Sequence, residues 1–514
     1  MSKTIIIIGA GLAGLSAALQ AAENGCNVKL VSSLPSERAQ SVMAEGGINA
    51  ALNTKDENDS PEEHFTDTIK AACGLADPNA VWGMTQAAPE LVHWLLKLGV
   101  KFNMSGYDDV DLRNFGGQKK KRTAFAQSDT GKQIMTAMID AVRRKEASGM
   151  VERFSHHSFL TLRLCGNICC GCVIRDEYSQ ETVELPGDAV IVATGGMHGL
   201  FGNTTGSLSN TGEVTAELFR LGVPLANGEM IQYHPTTVKC GGKRMLISEA
   251  ARGEGGRLFA MKDGKQWYFM EEKYPELGNL MPRDITAREI WKVSHESEVF
   301  LDMTEISDEI ISNKLSGLAD DCMTYLHKDI QKEPVSVLPG IHYFMGGILV
   351  DEQHRTPIQN LYAAGECCAQ YHGANRLGGN SLLGALYGGR VAAKSACEQA
   401  DAVDLSCATQ IDFPPASQIS EIKQLNKVMQ ETMGVVRNEN TLLNGIQTVQ
   451  ALTGNLPLLG MAVLKSALAR KESRGAHWRE DYPKSNDDDY LKTTVARFDG
   501  KQIQISFVPV PERR

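Results

Sequence analysis

The segment of residues 372–382, HGANRLGGNSL, combines residue types that suit an anion. Its glycines let the backbone approach a ligand closely, and the guanidinium of Arg376 offers a planar fork of N–H donors that fits a carboxylate. The apolar stretch after Gly379 predicts a helix, whose first turn has free N–H groups. The segment therefore predicts an anion-binding site.

A second glycine-rich motif, GAGLAG at residues 9–14, follows the β-branched run Thr4–Ile8 and precedes a predicted helix and a strand at residues 28–31. In such a β-α-β unit the first glycine makes a tight turn, the second admits a pyrophosphate, and the third packs helix against strand. The acidic residue that usually binds a ribose is missing, because Ser32 and Ser33 follow the second strand. A serine can still bond a ribose hydroxyl, but a plain NAD site is not favoured.

The composition narrows the class of protein. A chain of 514 residues predicts two or three domains, and 42% hydrophobic with 22% charged residues is typical of a globular protein. The net charge of -10 disfavours a nucleic-acid partner, and the basic run KKKR at residues 119–122 is interpreted as a solvated loop. Since neither a signal peptide nor an apolar run of roughly 18 to 20 residues is visible, we expect a cytoplasmic protein without membrane insertion.

Turn and capping residues divide the rest of the chain. Ser60-Pro61 and Asp77-Pro78 predict helices that reach about residues 72 and 98, and Thr130–Ala147 predicts a third. Strands are predicted between residues 151 and 192, mixed polar segments between 227 and 341, helices from about 417 to 470, and an acidic, loop-rich tail after 473.

The cysteines cluster once, at Cys165, Cys169, Cys170 and Cys172. A metal site usually repeats a C-x2-C pair, and this spacing does not. The apolar residues between these cysteines predict a buried β-ribbon instead, and no metal.

Further short motifs occur along the chain. They are AEGG at 44–47, ATGG at 193–196, HPT at 234–236, SEAARGEGG at 248–256, PRD at 282–284, HYFMGG at 342–347, AAGE at 363–366, VVRN at 435–438 and RGAH at 474–477. Together with GAGLAG and the Arg376 segment, they run almost end to end. In this order they resemble the flavoprotein subunit of succinate dehydrogenase and fumarate reductase, with L-aspartate oxidase a close relative.

The resemblance implies an α/β fold with a discontinuous, Rossmann-like FAD-binding domain at residues 1–226 and 346–405. An inserted α+β capping domain is expected at 227–345, and a C-terminal helical domain with its tail at 406–514. FAD is the implied cofactor. The residues expected to line it are Gly9, Ala10, Gly11, Gly14, Ser32, Ala44, Glu45, Gly46, Gly47, Ala193, Thr194, Gly195, Glu366, Asn380, Ser381 and Leu382.

The resemblance also implies a substrate site for a small dicarboxylate such as fumarate. Arg376 and His342 would bind one carboxylate, while His234, Ser248 and the turn at Phe115 and Gly116 would hold and twist the other. Two negative charges removed from water need such donors at both ends. Ser248 replaces a threonine that is common in the family, which keeps the hydroxyl but loses a methyl group.

The implied chemistry is hydride transfer from flavin N5 to one alkene carbon and protonation of the other. The family's proton donor is the arginine of the PRD motif, here Arg283, with Glu249 as relay and Arg252 nearby. Because free arginine has a pKa above about 12, this role requires a buried cationic neighbourhood.

One position departs from the membrane-bound members of the family, which carry a histidine joined covalently to the flavin where this chain has Gln40. An amide cannot form that bond, so we expect non-covalent FAD. Since the covalent link raises the flavin potential in the family, we also expect this enzyme to favour fumarate reduction.

Other functions remain open. L-aspartate oxidase and a reductase of another unsaturated carboxylate are the alternatives within the same chemistry, and a non-enzymatic flavin-binding or assembly protein is the alternative of another class. The resemblance implies an iron-sulfur subunit as electron-transfer partner, since the chain has no cysteine ladder for clusters. Through such partners the protein could associate with a membrane.

Overall fold

The structure, a computed structural model, describes residues 2–106, 109–400, 413 and 418–514. The domain boundary expected at residues 405–406 lies outside the described residues. The strands are β1 Thr4–Ile8, β2 Asn27–Ser32, β3 Ile48–Asn49, β4 Leu112–Arg113, β5 Thr123–Ala124, β6 Val151–Ser155, β7 His157–Cys165, β8 Ile168–Asp176, β9 Thr182–Pro186, β10 Ala189–Val192, β11 Leu225–Ala226, β12 Ile231–Cys240, β13 Lys243–Leu246, β14 Arg257–Lys262, β15 Lys265–Trp267, β16 Val299–Asp302, β17 Val335–Ser336, β18 Leu338–Phe344, β19 Gly347–Leu349, β20 Leu361–Ala363, β21 Cys368–Ala369, β22 Lys492–Phe498 and β23 Ile503–Pro509.

The helices are α1 Leu12–Glu23, α2 Pro61–Ala71, α3 Pro78–Leu98, α4 Thr130–Ala147, α5 Glu213–Arg220, α6 Glu249–Gly253, α7 Phe269–Lys273, α8 Arg283–Val293, α9 Asp308–Lys314, α10 Ser316–Asp321, α11 Asn380–Gln399, α12 Ile419–Thr432, α13 Glu439–Val449, α14 Asn455–Ala469 and α15 Asp487–Tyr490. Caps fix several of their ends. Ser60 accepts a hydrogen bond from Glu63 N at the start of α2, and Asp77 does so from Asn79 N before α3. Within the described ranges, no helix is long and apolar enough to cross a membrane.

A five-stranded parallel sheet in the order β20-β10-β1-β2-β6 lies at the centre. Successive side chains of β1 point to opposite faces. Ile5 and Ile7 pack with α1, α4 and α11 in one core, while Ile6 and Ile8 pack against β8 in another. Because helices cover one face and a β-ribbon the other, the sheet is buried on both sides. The β-α-β unit predicted from the GAGLAG motif is confirmed.

The predicted cysteine ribbon is also present. Strands β7, β8 and β9 form an antiparallel sheet, and Cys169 and Cys172 are buried between it and the central sheet. These two thiols therefore fill the core under the sheet.

Two small antiparallel sheets lie between residues 231 and 344. Their orders are β13-β12-β18 and β15-β14-β16-β17, and the second forms a separate core with helices α6 to α10. Phe115, from the first part of the chain, is buried in that core. This contact brings the turn at residues 115–117 next to α6.

The prediction of a loop-rich tail holds for residues 473–486 and is wrong for the residues that follow. Strands β22 and β23 form an antiparallel hairpin that joins β11, so that the sheet β21-β19-β11-β22-β23 includes the end of the chain. The signal was present in the sequence, because Asp499-Gly500 separates two alternating, β-branched segments. Thr494, Val495 and Ala496 are buried by this pairing.

The interpretation of residues 119–122 as a solvated loop is wrong at its last residue. Lys119 and Lys121 are exposed, but Arg122 is fully buried. Its guanidinium pairs with Asp59 at 2.8 Å and with Asp67 at 3.0 Å. A buried arginine requires such partners, and here they come from segments that precede it by more than 50 residues.

Candidate active site

One cavity of about 540 Å³ lies at the carboxyl ends of β1, β2 and β10, where open parallel sheets bind ligands. It extends from the GAGLAG turn to helices α6 and α8. The predicted site residues that line it are Gly9, Ala10, Gly11, Ser32, Ala44, Glu45, Gly46, Gly47, Phe115, Ala193, Thr194, Gly195, His234, Ser248, Glu249, Arg283, His342, Glu366, Arg376, Ser381 and Leu382.

Four predicted residues lie behind the cavity wall. Gly14 packs on Gly9, since a Cβ at Gly14 would lie 1.8 Å from Gly9 O. Gly116 N donates to Glu249, Arg252 pairs with Glu249, and Asn380 Oδ1 accepts from Asn49. These four contact the lining residues, or residues next to them.

The GAGLAG end of the cavity is a backbone surface. Gly9 has a φ of 110°, and a Cβ there would lie 2.2 Å from Ala193 O. Helix α1 begins with Gly11 as its N-cap and has no cap from that residue. Leu12 N donates to Ser41 Oγ at 3.3 Å, and the N–H groups that follow in the first turn suit a ligand. The buried Ser32 Oγ has no hydrogen-bond partner within the described residues. A nucleotide with a pyrophosphate and a ribose hydroxyl would satisfy these groups.

Two carboxyl groups lie along the middle of the cavity. Glu366 Oε1 accepts from Phe344 N at 3.1 Å, and burial raises the pKa of Glu366 to about 7. Burial, together with the nearby Asp321 charge, raises the pKa of Glu45 to about 8. Gln40 also lines this part, and its Oε1 accepts from Ser207 N at 2.5 Å.

At the far end, three charged residues form one buried group. Arg283 binds Glu249 Oε2 through Nε at 2.8 Å and Nη2 at 2.6 Å, and Arg252 Nη2 lies 3.4 Å from Glu249 Oε1. Burial alone would raise the pKa of Glu249, but the charges of Arg283 and Arg252 and its hydrogen bonds hold it below its usual value. Glu249 is therefore ionised between two arginines.

Arg376 and two histidines complete this end. The Arg376 guanidinium lies 4.4 Å from the centre of the Tyr343 ring, and its Nε has no hydrogen-bond partner within the described residues. Burial and the Arg283 charge lower the pKa of Arg376 to about 9. The rings of His234 and His342 are 5.2 Å apart, and burial lowers the pKa of both well below the usual value. Glu249 thus pairs Arg283 and Arg252, while in the described part of the chain neither Arg376 Nε nor His234 Nε2 has a hydrogen-bond partner.

Sequence reasoning missed two amides that hold this end together. Gln232 Oε1 accepts from Arg283 Nη1 at 3.1 Å, while its Nε2 donates to Arg376 O at 2.8 Å. Asn49 Nδ2 donates to Gly378 O and to Asn380 Oδ1, both at 2.7 Å. Gln232 lies two positions before His234 on β12, so its place on a strand with a site residue was a usable signal. Asn49 offered no comparable one.

A glycine-rich turn at the end of a parallel sheet is typical of enzymes that bind a dinucleotide cofactor, and the arginines and histidines of the same cavity suit an anionic ligand. Residues 4–382 match the family described as FAD binding domain, and residues 452–513 match fumarate reductase flavoprotein C-term. The chain belongs to the succinate dehydrogenase and fumarate reductase flavoprotein family. It is therefore an oxidoreductase with FAD as cofactor.

Individual relatives agree. The succinate dehydrogenase flavoprotein subunit of Bacillus subtilis is 38% identical, over 100% of this chain and 98% of the relative. The 8-methylmenaquinol:fumarate reductase flavoprotein subunit of Wolinella succinogenes is 32% identical, over 100% of this chain and 92% of the relative. The structure of E. coli quinol fumarate reductase superposes with a TM-score of 0.90 at 27% identity, covering 99% of this chain and 97% of that one.

Proposed function

We propose that this chain interconverts fumarate and succinate, favours fumarate reduction, and delivers the proton from Arg283. The observation that carries the proposal is the Arg283–Glu249–Arg252 group: Arg283 and Glu249 line the cavity together with Arg376, and Arg252 lies behind Glu249. The names of the relatives support the substrate pair, since they include both succinate dehydrogenases and fumarate reductases.

Binding follows from charge and from unpaired donors. Arg376 and His342 bind one carboxylate of the substrate, and the unpaired Nε of Arg376 gains an acceptor there. His234 and Ser248 hold the second carboxylate, and Phe115 lines the same cavity. The predicted part of Gly116 is not retained, because Gly116 N already donates to Glu249. A dicarboxylate buried in this way needs a charged donor at close range, and Arg283 and Arg376 provide two positive charges in one cavity.

When bound, FAD supplies the hydride for one alkene carbon. Arg283 gives a proton to the other carbon, while Glu249 stays ionised and orients the guanidinium through two hydrogen bonds. Burial and the Arg283 charge lower the pKa of Arg252, against the opposing effect of Glu249. Glu249 then relays a proton to the neutral Arg283: it accepts one from Arg252, which lies at its second oxygen, and passes it on, and Arg252 regains a proton from solvent.

Gln40 supports the direction. Its side chain lines the cavity and its amide cannot bond covalently to a flavin. Without the covalent link, the flavin has the lower potential that suits reduction of fumarate. We therefore propose non-covalent FAD and a fumarate reduction rate above the rate of succinate oxidation with an artificial acceptor.

The experiment is a titration of the chemically reduced holoprotein under anaerobic conditions, followed by flavin absorbance. Fumarate should reoxidise the flavin within the mixing time, and L-aspartate should leave it unchanged. Iminoaspartate formed from L-aspartate by the oxidised protein would identify an L-aspartate oxidase instead, and faster reoxidation by another unsaturated acid would reassign the substrate. The Arg283→Lys variant should bind fumarate but reoxidise at least about 100-fold more slowly, whereas Arg355→Lys, at an exposed ion pair, should match the wild type.

For the electron supply we propose an iron-sulfur partner subunit. The relatives are named as subunits, and within the described ranges no group of three His, Cys, Asp or Glu residues could hold a metal ion. The purified chain should therefore reduce fumarate with a small artificial donor but not with NADH. Turnover with NADH at a comparable rate would contradict this.

We also propose the domain organisation given by the sequence. Strand β20 belongs to the expected second part of the FAD-binding domain, at residues 346–405. It joins the parallel sheet that β1, β2, β6 and β10 form, which supports one discontinuous FAD-binding domain. The α6–α10 core supports a capping domain at 227–345. Limited proteolysis with and without FAD should yield fragments that separate at these boundaries.

A further inference from the structure

Two consecutive threonines outside the predicted site each contact a histidine. Thr204 Oγ1 lies 2.9 Å from His198 Nδ1, and Thr205 Oγ1 lies 2.8 Å from His342 Nδ1. Thr205 lines the cavity together with His342. His198 is fully buried, and its Nε2 lies 3.7 Å from Glu366 Oε1. In both pairs a threonine hydroxyl therefore lies at Nδ1 of a buried imidazole.

Both imidazoles are neutral at neutral pH. Burial lowers the pKa of His198 to about 4. Burial and the charges of Arg283 and Arg376, with a smaller contribution from His198, lower the pKa of His342 well below its usual value. A neutral imidazole has one N–H, and the partner of one nitrogen decides which nitrogen carries it. The threonine contacts therefore decide what each Nε2 presents.

The hydroxyl hydrogens can be placed from their other partners. Thr204 Oγ1 already accepts from Gly206 N at 3.2 Å, so its hydrogen is free for His198 Nδ1. Thr205 N donates to Ile341 O at 3.0 Å, which fixes the residue, and the competing acceptor for its hydroxyl is the same carbonyl, at the longer distance of 3.4 Å. The contact to His342 Nδ1 is much shorter, so the Thr205 hydroxyl donates there. Nδ1 is then an acceptor, and the hydrogen of His342 is on Nε2.

We propose that Thr205 is a positioning residue that fixes His342 in the Nε2–H form, so that His342 donates a hydrogen bond to a substrate carboxylate. The inference rests on the proposed function, in which His342 binds that carboxylate. In the other tautomer a lone pair of Nε2 would face the anion, and both the hydrogen bond and the attraction would be lost. The Thr204–His198 pair repeats the contact at Nδ1, with Glu366 Oε1 at 3.7 Å from Nε2.

The first test measures the dissociation constant of succinate for the oxidised holoprotein by flavin absorbance. Thr205→Val removes the hydroxyl at nearly constant volume and should raise that constant about tenfold, with FAD content unchanged. Thr205→Ser should restore it to within about twofold of the wild type. The control Thr136→Val removes an exposed hydroxyl bonded to Lys132 O and should have no effect.

A double-mutant cycle with His342→Ala separates positioning from general structure. If Thr205 acts through His342, Thr205→Val should change the dissociation constant less than about twofold in the His342→Ala background. A full tenfold effect in that background, or no effect in the wild-type background, overturns the inference. If the wild type itself does not bind succinate or fumarate, the proposed function fails instead.

A second readout does not depend on substrate. In protein with ¹⁵N-labelled histidine, the His342 signals, identified by their loss in His342→Ala, should show an unprotonated Nδ1 and a protonated Nε2. In Thr205→Val the ¹⁵N chemical shifts of His342 Nδ1 and Nε2 should move toward each other, because the two tautomers then exchange. A wild-type His342 that is protonated at Nδ1 overturns the inference.

Discussion

Arg283 donates two hydrogen bonds to the same oxygen of Glu249, from Nε at 2.8 Å and from Nη2 at 2.6 Å. The other oxygen accepts from Gly116 N at 3.2 Å and lies 3.4 Å from Arg252. The carboxylate thus fixes the proposed proton donor and shares its charge with a second arginine. Each of these contacts requires an ionised Glu249.

Glu249→Gln should lower kcat for fumarate reduction at least about 100-fold and change the succinate dissociation constant less than about fivefold. The amide keeps the shape but leaves two buried guanidiniums without a counter-charge, so Arg283 loses both its orientation and its proton supply. Stopped-flow reoxidation of the reduced flavin measures the effect. The control Glu333→Gln breaks an exposed pair with Lys328 and should not slow the reaction. An unchanged kcat in Glu249→Gln would remove Glu249 from the mechanism.

Arg376→Lys should keep the FAD content and raise KM for fumarate about 10- to 100-fold. Lysine preserves the positive charge but not the planar fork of donors that fits a carboxylate. Flavin absorbance per protein measures the first quantity and steady-state kinetics the second, with Arg143→Lys at the protein surface as control. Loss of flavin in Arg376→Lys would mean that the segment mainly holds the cofactor.

Gln40 predicts that FAD leaves the protein on denaturation. After precipitation with acid, the flavin should be found in the supernatant, and a denaturing gel should show no fluorescent protein band. A succinate dehydrogenase with covalent flavin, treated in parallel, provides the positive control. A fluorescent band at the mass of this chain would contradict both the non-covalent cofactor and the argument for direction.

Glu45 predicts a pH dependence of apoprotein stability. Because the pKa of Glu45 is raised from 4.5 to about 8 by burial and Asp321, the folded state binds its proton more tightly than the unfolded state. This destabilisation is absent below pH 4.5 and grows as pH rises toward 8. Glu45→Gln removes this penalty. Its free energy of unfolding should therefore exceed that of the wild type by about 1 to 3 kcal/mol more at pH 8 than at pH 5. Urea unfolding at both pH values measures it, with the exposed Glu90→Gln as control; equal gains at the two pH values would exclude this explanation.

Local sequence signals predicted the elements well wherever a cap or a periodic run marked them. Helix α3 spans Pro78–Leu98 and α4 spans Thr130–Ala147, as predicted, because Asp77-Pro78 starts the first and the apolar period defines the second. Most of the predicted residues that line the cavity were found because they lie in short motifs that resemble a known family. These signals need no knowledge of the distant parts of the chain.

The features that were missed depend on long-range contacts. Asn49 bonds Gly378 O across 329 positions of sequence, and Arg122 finds its two aspartates in separate segments. Neither residue type reveals such a partner, since an isolated asparagine or arginine is usually exposed. The fold brings these partners together, and only the three-dimensional structure shows which polar residues it buries.

The sheet β21-β19-β11-β22-β23 has a consequence for how the protein is made. Strand β11, at residues 225–226, pairs on one side with β19 and on the other with β22, at residues 492–498. During synthesis β11 leaves the ribosome more than 260 residues before its last neighbour. Until then its edge is unpaired, and an unpaired edge is where misfolding and aggregation begin. Translation rate and chaperone supply should therefore affect the yield of folded protein. The stability of the finished fold alone would not predict this dependence.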